Sequence, residues 1–135
     1  MPKRQLKPEN HKRVYAHLRK AGAPLTAYQI LEAMHADGFR APVTVYRALD
    51  RLMGEGRVHR VESLNAFVPC CDPDHHHGAL VFAICHNCGA VREIVEAEPL
   101  DRLSEVAAAI GFSVERASVE LRGRCGDCAA KALDA

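Results

Sequence analysis

Apolar residues recur at helical spacing over residues 8–21, where His11, Val14, Tyr15 and Leu18 share one side. Pro8 suits the first turn of that helix and Gly22 ends it. Thr26-Ala27-Tyr28-Gln29 is a capping box, in which a hydroxyl and an amide close the start of a second helix. Ile30, Leu31 and Met34 form its buried stripe, and Gly38 is its expected terminator. A third helix runs from Pro42 to about Met53. Val45, Leu49, Leu52 and Met53 share its inner face, and Val43, Thr44, Arg47, Asp50 and Arg51 point the other way. After Gly54 and Gly56 the period changes. Residues 57–61 and 66–68 are short β-rich runs around the polar turn Glu62-Ser63-Leu64-Asn65, which predicts a hairpin. Three helices followed by a hairpin is the order of a winged helix-turn-helix.

From Pro69 to Gly78 the apolar pattern lapses into Cys70, Cys71, Asp72, Pro73, Asp74, His75, His76 and His77, the composition of a linker. The pattern then resumes as β, α, β. Leu80–Ile84 is an apolar strand, and Ala90–Val95 is a second strand. A helix starting at Pro99 aligns Leu100, Leu103, Val106, Ala107 and Ile110 before Gly111. Phe112–Leu121 alternates as a strand, with a break in phase at Arg116-Ala117 that predicts a bulge. The tail from Ala129 carries no pattern. The expected fold class is α+β: a winged helix-turn-helix over 1–68, a hinge over 69–78, and a small α/β domain over 79–135.

Charge sharpens this division. The 135 residues carry a formal net charge of +1, which alone announces no polyanion partner. Yet residues 1–60 hold twelve Lys and Arg against five Asp and Glu, so the basic excess lies in the first domain. No apolar stretch follows Met1-Pro2-Lys3-Arg4, and no run approaches membrane-spanning length. A cytoplasmic location and no membrane partner are therefore expected. In that reducing compartment six cysteines point to metal ligands or reactive thiols rather than structural disulfides.

Two Cys-x-x-Cys pairs, Cys85/Cys88 and Cys125/Cys128, have the spacing that tetrahedral Zn²⁺ requires. A metal there would clamp the chain's end onto its middle. Paired disulfides or a redox dithiol are the alternatives, and two pairs rather than one favour the metal. A second, mixed group comprises His59 on the hairpin, Cys70 and Cys71, His75 to His77, and Glu93 between Val91 and Val95. A carboxylate on an apolar strand face needs a partner, and a set of imidazole, thiolate and carboxylate suits Zn²⁺. The plainer reading makes the histidine run a polar loop and pairs Glu93 with a surface base. His86 is expected to face solvent.

The third helix is the expected DNA reader. Thr44, Tyr46 and Arg47 occupy its N-terminal half, with Arg51 a turn further on. Arg47 can grip guanine through O6 and N7. Arg13, Arg57 and Arg60 are candidate phosphate contacts. Taken alone this helix face reads better as a solvated surface; the three-helix-plus-wing order and the basic half reverse that in favour of DNA.

Thr44-Val45-Tyr46-Arg47-Ala48-Leu49, His59-Arg60-Val61-Glu62-Ser63, and Cys85-His86-Asn87-Cys88-Gly89 with the terminal Cys-x-x-Cys resemble the ferric uptake regulator family. Cys70 and the run from Cys88 to Glu93 are most similar to its zinc-responsive branch. The resemblance covers nearly the whole chain. It implies a homodimer with an N-terminal winged helix and a C-terminal α/β dimerisation domain. It implies a structural Zn²⁺ on Cys85, Cys88, Cys125 and Cys128, and a regulatory Zn²⁺ at the hinge with His59, Cys70, Glu93 and a linker histidine. An ungapped match puts the fourth regulatory ligand at Gly78, so the neighbouring His77 is taken, with His75 and the extra thiol Cys71 in reserve. Tyr46 and Arg47 match the family's DNA-contacting pair. The implied partner is double-stranded operator DNA, and the implied role is repression of zinc-uptake genes.

Other classes fit less well. The same fold sensing iron, manganese or peroxide would favour oxygen and nitrogen ligands over Cys70. A zinc or dithiol enzyme would keep an open coordination position, whereas both sets here are filled. No enzyme activity and no small organic substrate are expected.

Overall fold

In the computed structural model, which describes residues 9–70, 79–96 and 98–133, the chain starts with α1, Asn10–Ala21. Its inner stripe is His11, Val14 and Leu18, and Gly22 ends it at φ 64°, a left-handed conformation that costs glycine little. Leu25–Thr26 forms a two-residue strand, β1, ahead of α2, Ala27–Ala33. The Thr26 hydroxyl accepts from the Gln29 amide at 3.1 Å, and the Gln29 side chain accepts from the Thr26 amide at 2.8 Å. This is the capping box that the sequence predicts. The helix is shorter than Gly38 implied, because a 3₁₀ turn at His35–Asp37 takes over before that glycine. Recognition-helix candidate α3, Pro42–Gly54, has proline in its first turn and buries Val45, Ala48, Leu49 and Leu52.

β2, Val58–Val61, and β3, Ala66–Pro69, make the wing, with Val58 opposite Pro69 and Val61 opposite Ala66. The turn between them is a 3₁₀ segment closed by Asn65 at φ 48°. β1 adds to the other side of β3, giving the order β1-β3-β2. Two residues carry no alternation, so periodicity alone does not reveal β1. Beneath the sheet the helices share one core of Val14, Leu18, Ile30, Phe39, Val45, Leu49, Leu52, Val58 and Phe67. Arg13 lies over the Phe39 ring at 5.0 Å and donates to the Asp37 carbonyl, so it ties α1 to the turn before α3.

The second unit is a three-stranded sheet in the order β5-β4-β6. β4, Ala79–Cys85, pairs antiparallel with β5, Val91–Ile94, and parallel with β6, Ala117–Gly123. α4, Glu98–Ala109, lies in the crossover between β5 and β6, as a parallel pair requires. The predicted strand from Phe112 is corrected: pairing begins at Ala117, opposite Ala79, where β4 itself begins. The phase break at Arg116-Ala117 therefore marks a strand start and not a bulge. The patternless tail is also corrected, since Gly126–Leu133 forms α5. By contact the chain divides into Met1–Pro73 and Asp74–Ala135.

Candidate metal centre and nucleic-acid interface

The second unit brings the two Cys-x-x-Cys pairs together. Cys85 is the last residue of β4, and the tight turn after it is held by the Gly89 amide donating to the Cys85 carbonyl at 3.0 Å. Gly89 takes φ 78°, which favours glycine there. The Cys88 amide donates to Cys85 Sγ at 3.5 Å. The second pair straddles the start of α5, and the Ala129 amide donates to the Cys125 carbonyl at 2.9 Å. Parallel pairing of β4 with β6 sets Cys85 opposite Gly123, and this register carries Cys125 to the first pair.

All four sulfurs lie within 4.8 Å of one another. Zn–S bonds of about 2.3 Å put the sulfurs of a tetrahedron about 3.8 Å apart. Cys88 Sγ and Cys125 Sγ are 3.7 Å apart, so the donor set fits a tetrahedral metal. The same distance is far beyond the roughly 2.05 Å of a disulfide, and the described cysteines are all free thiols. Cys85 and Cys128 are buried and Cys88 is exposed.

The protonation states are uneven. Amide donors, Cys125 first and then Cys88, draw the Cys85 thiol down to about 5, so it is a thiolate at neutral pH. At Cys88 the Ala90 amide is the largest single influence and lowers the value. The Cys85 and Cys125 sulfurs, burial and Cys128 together outweigh it and push the thiol up to about 11. Four thiols in one cluster cannot all ionise without a cation between them. Binding a metal therefore expels the Cys88 proton.

In the first unit, His59 and Cys70 come together. His59 lies on β2 opposite Val68, and the Cys70 amide, just past β3, donates to the Arg57 carbonyl at 2.7 Å. Their ligand atoms lie within 4.8 Å, a span that one metal can bridge. Glu93 sits on β5 opposite Phe82 in the second unit. Cys71, His75, His76 and His77 lie outside the described residues.

On α3, Thr44 is half-buried, while Tyr46 and Arg47 are exposed on the face away from Val45 and Leu49. Among the described residues Arg47 has no hydrogen-bond or ion-pair partner. The other predicted DNA contacts are engaged within the unit. Arg60 donates to Asn65 Oδ1 at 2.8 Å and lies 3.6 Å from Glu62, across the wing turn. Arg51 and Arg57 both meet Glu55. Tyr28, which the sequence pattern did not single out, is 65% exposed on the first turn of α2. An aromatic residue inside a polar capping box was the available signal.

Residues 8–122 match the model of the ferric uptake regulator family. The chain belongs to that family. Among its relatives is the zinc uptake regulation protein of Escherichia coli (strain K12), 38% identical over 107 residues, or 77% of this chain. The chain spans 61% of that protein's length. Two solved structures of the family share the fold. A zinc uptake regulator complexed with zinc and DNA is 32% identical, with a TM-score of 0.86, over 96% of this chain and 86% of that one. Holo XcZur is 38% identical, with a TM-score of 0.83, over 93% of this chain and 86% of that one. The architecture expected from the sequence, a winged helix followed by a small α/β domain, is thus the architecture of this family.

If the four cysteines hold a structural zinc, Cys125→Ser removes one of its four ligands, and the binding energy of such a site is folding energy, on the order of ten kcal/mol for small structural zinc sites. The variant is expected to lose that zinc and to unfold the second unit, while the first unit stays folded. Zinc stoichiometry and amide hydrogen exchange read both effects. A variant with full zinc and unchanged protection in β4 and β6 contradicts the assignment.

Proposed function

We propose that this chain is a zinc-responsive transcriptional repressor that covers operator DNA as a zinc-loaded homodimer and represses zinc-uptake genes. The likeness over 96% of the chain to a zinc uptake regulator complexed with zinc and DNA carries the reading. Cys85, Cys88, Cys125 and Cys128 hold a structural Zn²⁺. His59 and Cys70 hold a second, regulatory Zn²⁺ with Glu93 and one linker histidine, His77 or its reserve His75. The thiolate at Cys70 favours zinc over iron or manganese, which prefer harder ligands. Both ligand sets are closed, so the chain is a regulator and not an enzyme. No described helix is long and apolar enough to cross a membrane. As a transcriptional regulator the chain acts in the cytoplasm.

The homodimer follows from what the second unit leaves uncovered. α4 buries no residue, and Leu103, Val106, Ile110 and Phe112 are 52%, 54%, 82% and 61% exposed. An amphipathic helix with its apolar stripe in water calls for a partner surface, and a second copy of the same face supplies one. In DNA binding, Thr44, Tyr46 and Arg47 read base edges from α3, while Arg51, Arg57 and Arg60 take phosphates on leaving their carboxylate or amide partners. Tyr28 adds a phosphate contact from the preceding helix.

Zinc controls this only through a difference in its affinity for the DNA-competent and incompetent arrangements. His59, Cys70 and Glu93 come from both units, so their sharing one ion selects one arrangement.

Two outcomes test the reading, using the promoter beside the chain's own gene. Arg47→Ala is expected to cost about 1–3 kcal/mol of operator affinity and to relax base preference at one position per half-site. An unchanged ratio of operator to random-DNA affinity contradicts the recognition-helix assignment. Cys70→Ser is expected to keep the fold and the four-cysteine zinc, yet lose a zinc stimulation of roughly 5–150-fold. Full zinc stimulation in that variant, at free zinc that just saturates the parent, contradicts the regulatory site.

A further inference from the structure

Two of the arginines assigned to phosphate share one carboxylate. Arg51 Nε donates to Glu55 Oε1 at 3.2 Å, one helical turn along α3, and its Nη2 lies 4.0 Å from Glu9. Arg57 Nε lies 3.7 Å from the other Glu55 oxygen, with its guanidinium 5.7 Å from the centroid of the Tyr15 ring. Glu9 is further held by His11 Nε2 at 3.4 Å and Lys12 Nζ at 3.9 Å. These residues line one concavity formed by α1, α3 and the turn that follows α3. The participants are open to water: Arg51 and Arg57 side chains are 55% and 54% exposed, and Glu55 is 38% exposed. Exposed pairs of this kind are weak and exchange readily.

We infer that Glu55, supported by Glu9, is an intramolecular competitor for DNA phosphate and so sets the strength of sequence-independent binding, although it touches no base. The inference rests on the DNA-binding reading above. A carboxylate and a phosphate present the same bidentate acceptor edge to a guanidinium. Each arginine that takes a phosphate must release Glu55, and the released carboxylate then stands near a polyanion and repels it. Both effects fall on the sequence-independent part of binding. Arg47 has no acidic partner among the described residues, so base reading is untouched. Glu55 therefore lowers affinity for every sequence alike, which leaves more of the regulator free of the excess of non-operator DNA without changing its preference for the operator. The formal net charge of only +1 fits a chain that relies little on bulk attraction.

Glu55→Gln keeps the shape and an acceptor oxygen while removing the charge. The zinc-loaded full chain, parent and variant, is titrated with a random-sequence duplex and with the promoter fragment beside its gene, over a range of salt. At about 0.1 M salt the variant is expected to bind random DNA roughly threefold to tenfold more tightly. The plot of log affinity against log salt should steepen by about 0.9 for each phosphate newly neutralised. Operator affinity should rise by the same factor, so the ratio of operator to random affinity should stay unchanged. Combining Glu55→Gln with Arg51→Gln and Arg57→Gln should abolish the gain. An unchanged slope, a loss of affinity for both duplexes, or a gain that survives in the triple variant each overturns the inference. If the parent itself binds neither duplex with zinc, the DNA-binding reading fails before the variants are compared. A purely structural role for Glu55 would move the unfolding midpoint and leave the salt slope alone.

Discussion

Four sulfurs gathered within 4.8 Å are the constraint on which the second unit depends. Its own apolar burial is thin. Val81, Phe82, Ile84 and the two cysteines Cys85 and Cys128 are its buried hydrophobic residues among those described, and α4 contributes none. A domain of about 60 residues is marginal even with a complete core. A metal shared by the turn after β4 and the start of α5 would close the chain around the sheet and hold the β4–β6 register. It would also neutralise thiols that cannot all ionise alone, in keeping with the Cys88 thiol being pushed up to about 11. The uncovered stripe of α4 is the other half of the same deficit, which a second copy would make good.

The first unit needs no such aid. Helices α1 to α3 and the wing close over Phe39, Leu18, Ile30, Leu49 and Leu52, each nearly or wholly inaccessible to water. Its capping box, its stacked Arg13 and its wing clasp from Arg60 to Asn65 set the angles at which α3 and the hairpin leave that core. What remains outside is a face whose charge is partly spoken for. Arg47 projects unpartnered among the described residues, whereas Arg51, Arg57 and Arg60 begin from carboxylate or amide partners. A rigid scaffold that leaves Arg47 without a partner among the described residues suits recognition in which base contacts specify and phosphate contacts adjust.

Sequence pattern revealed much of this because the relevant signals are local. The Thr26–Gln29 box, the Pro42 start of α3 and the Cys-x-x-Cys turns each depend on residues three or four apart. The misses were non-local or too short. β1 is a strand only because Leu25 and Thr26 meet Phe67 and Ala66 of β3. β6 starts at Ala117 because its partner starts at Ala79, a fact of pairing that alternation cannot encode. α5 was obscured by the small alanine-rich face that follows Cys128. At the candidate metal centres, spacing was enough to predict that the four cysteines would meet. The meeting of His59 with Cys70 is set by wing register, and the choice between His75 and His77 falls in a segment that has no periodicity.

The central claim is that zinc and DNA bind this chain as coupled ligands, and linkage gives its most direct measurement. Zinc affinity of the regulatory site is determined by competition with a chelator, with and without the promoter duplex, and DNA affinity with and without zinc. The account predicts that each ligand tightens the other by the same factor, roughly 5–150-fold. DNA affinity that is indifferent to zinc, with zinc affinity indifferent to DNA, contradicts it.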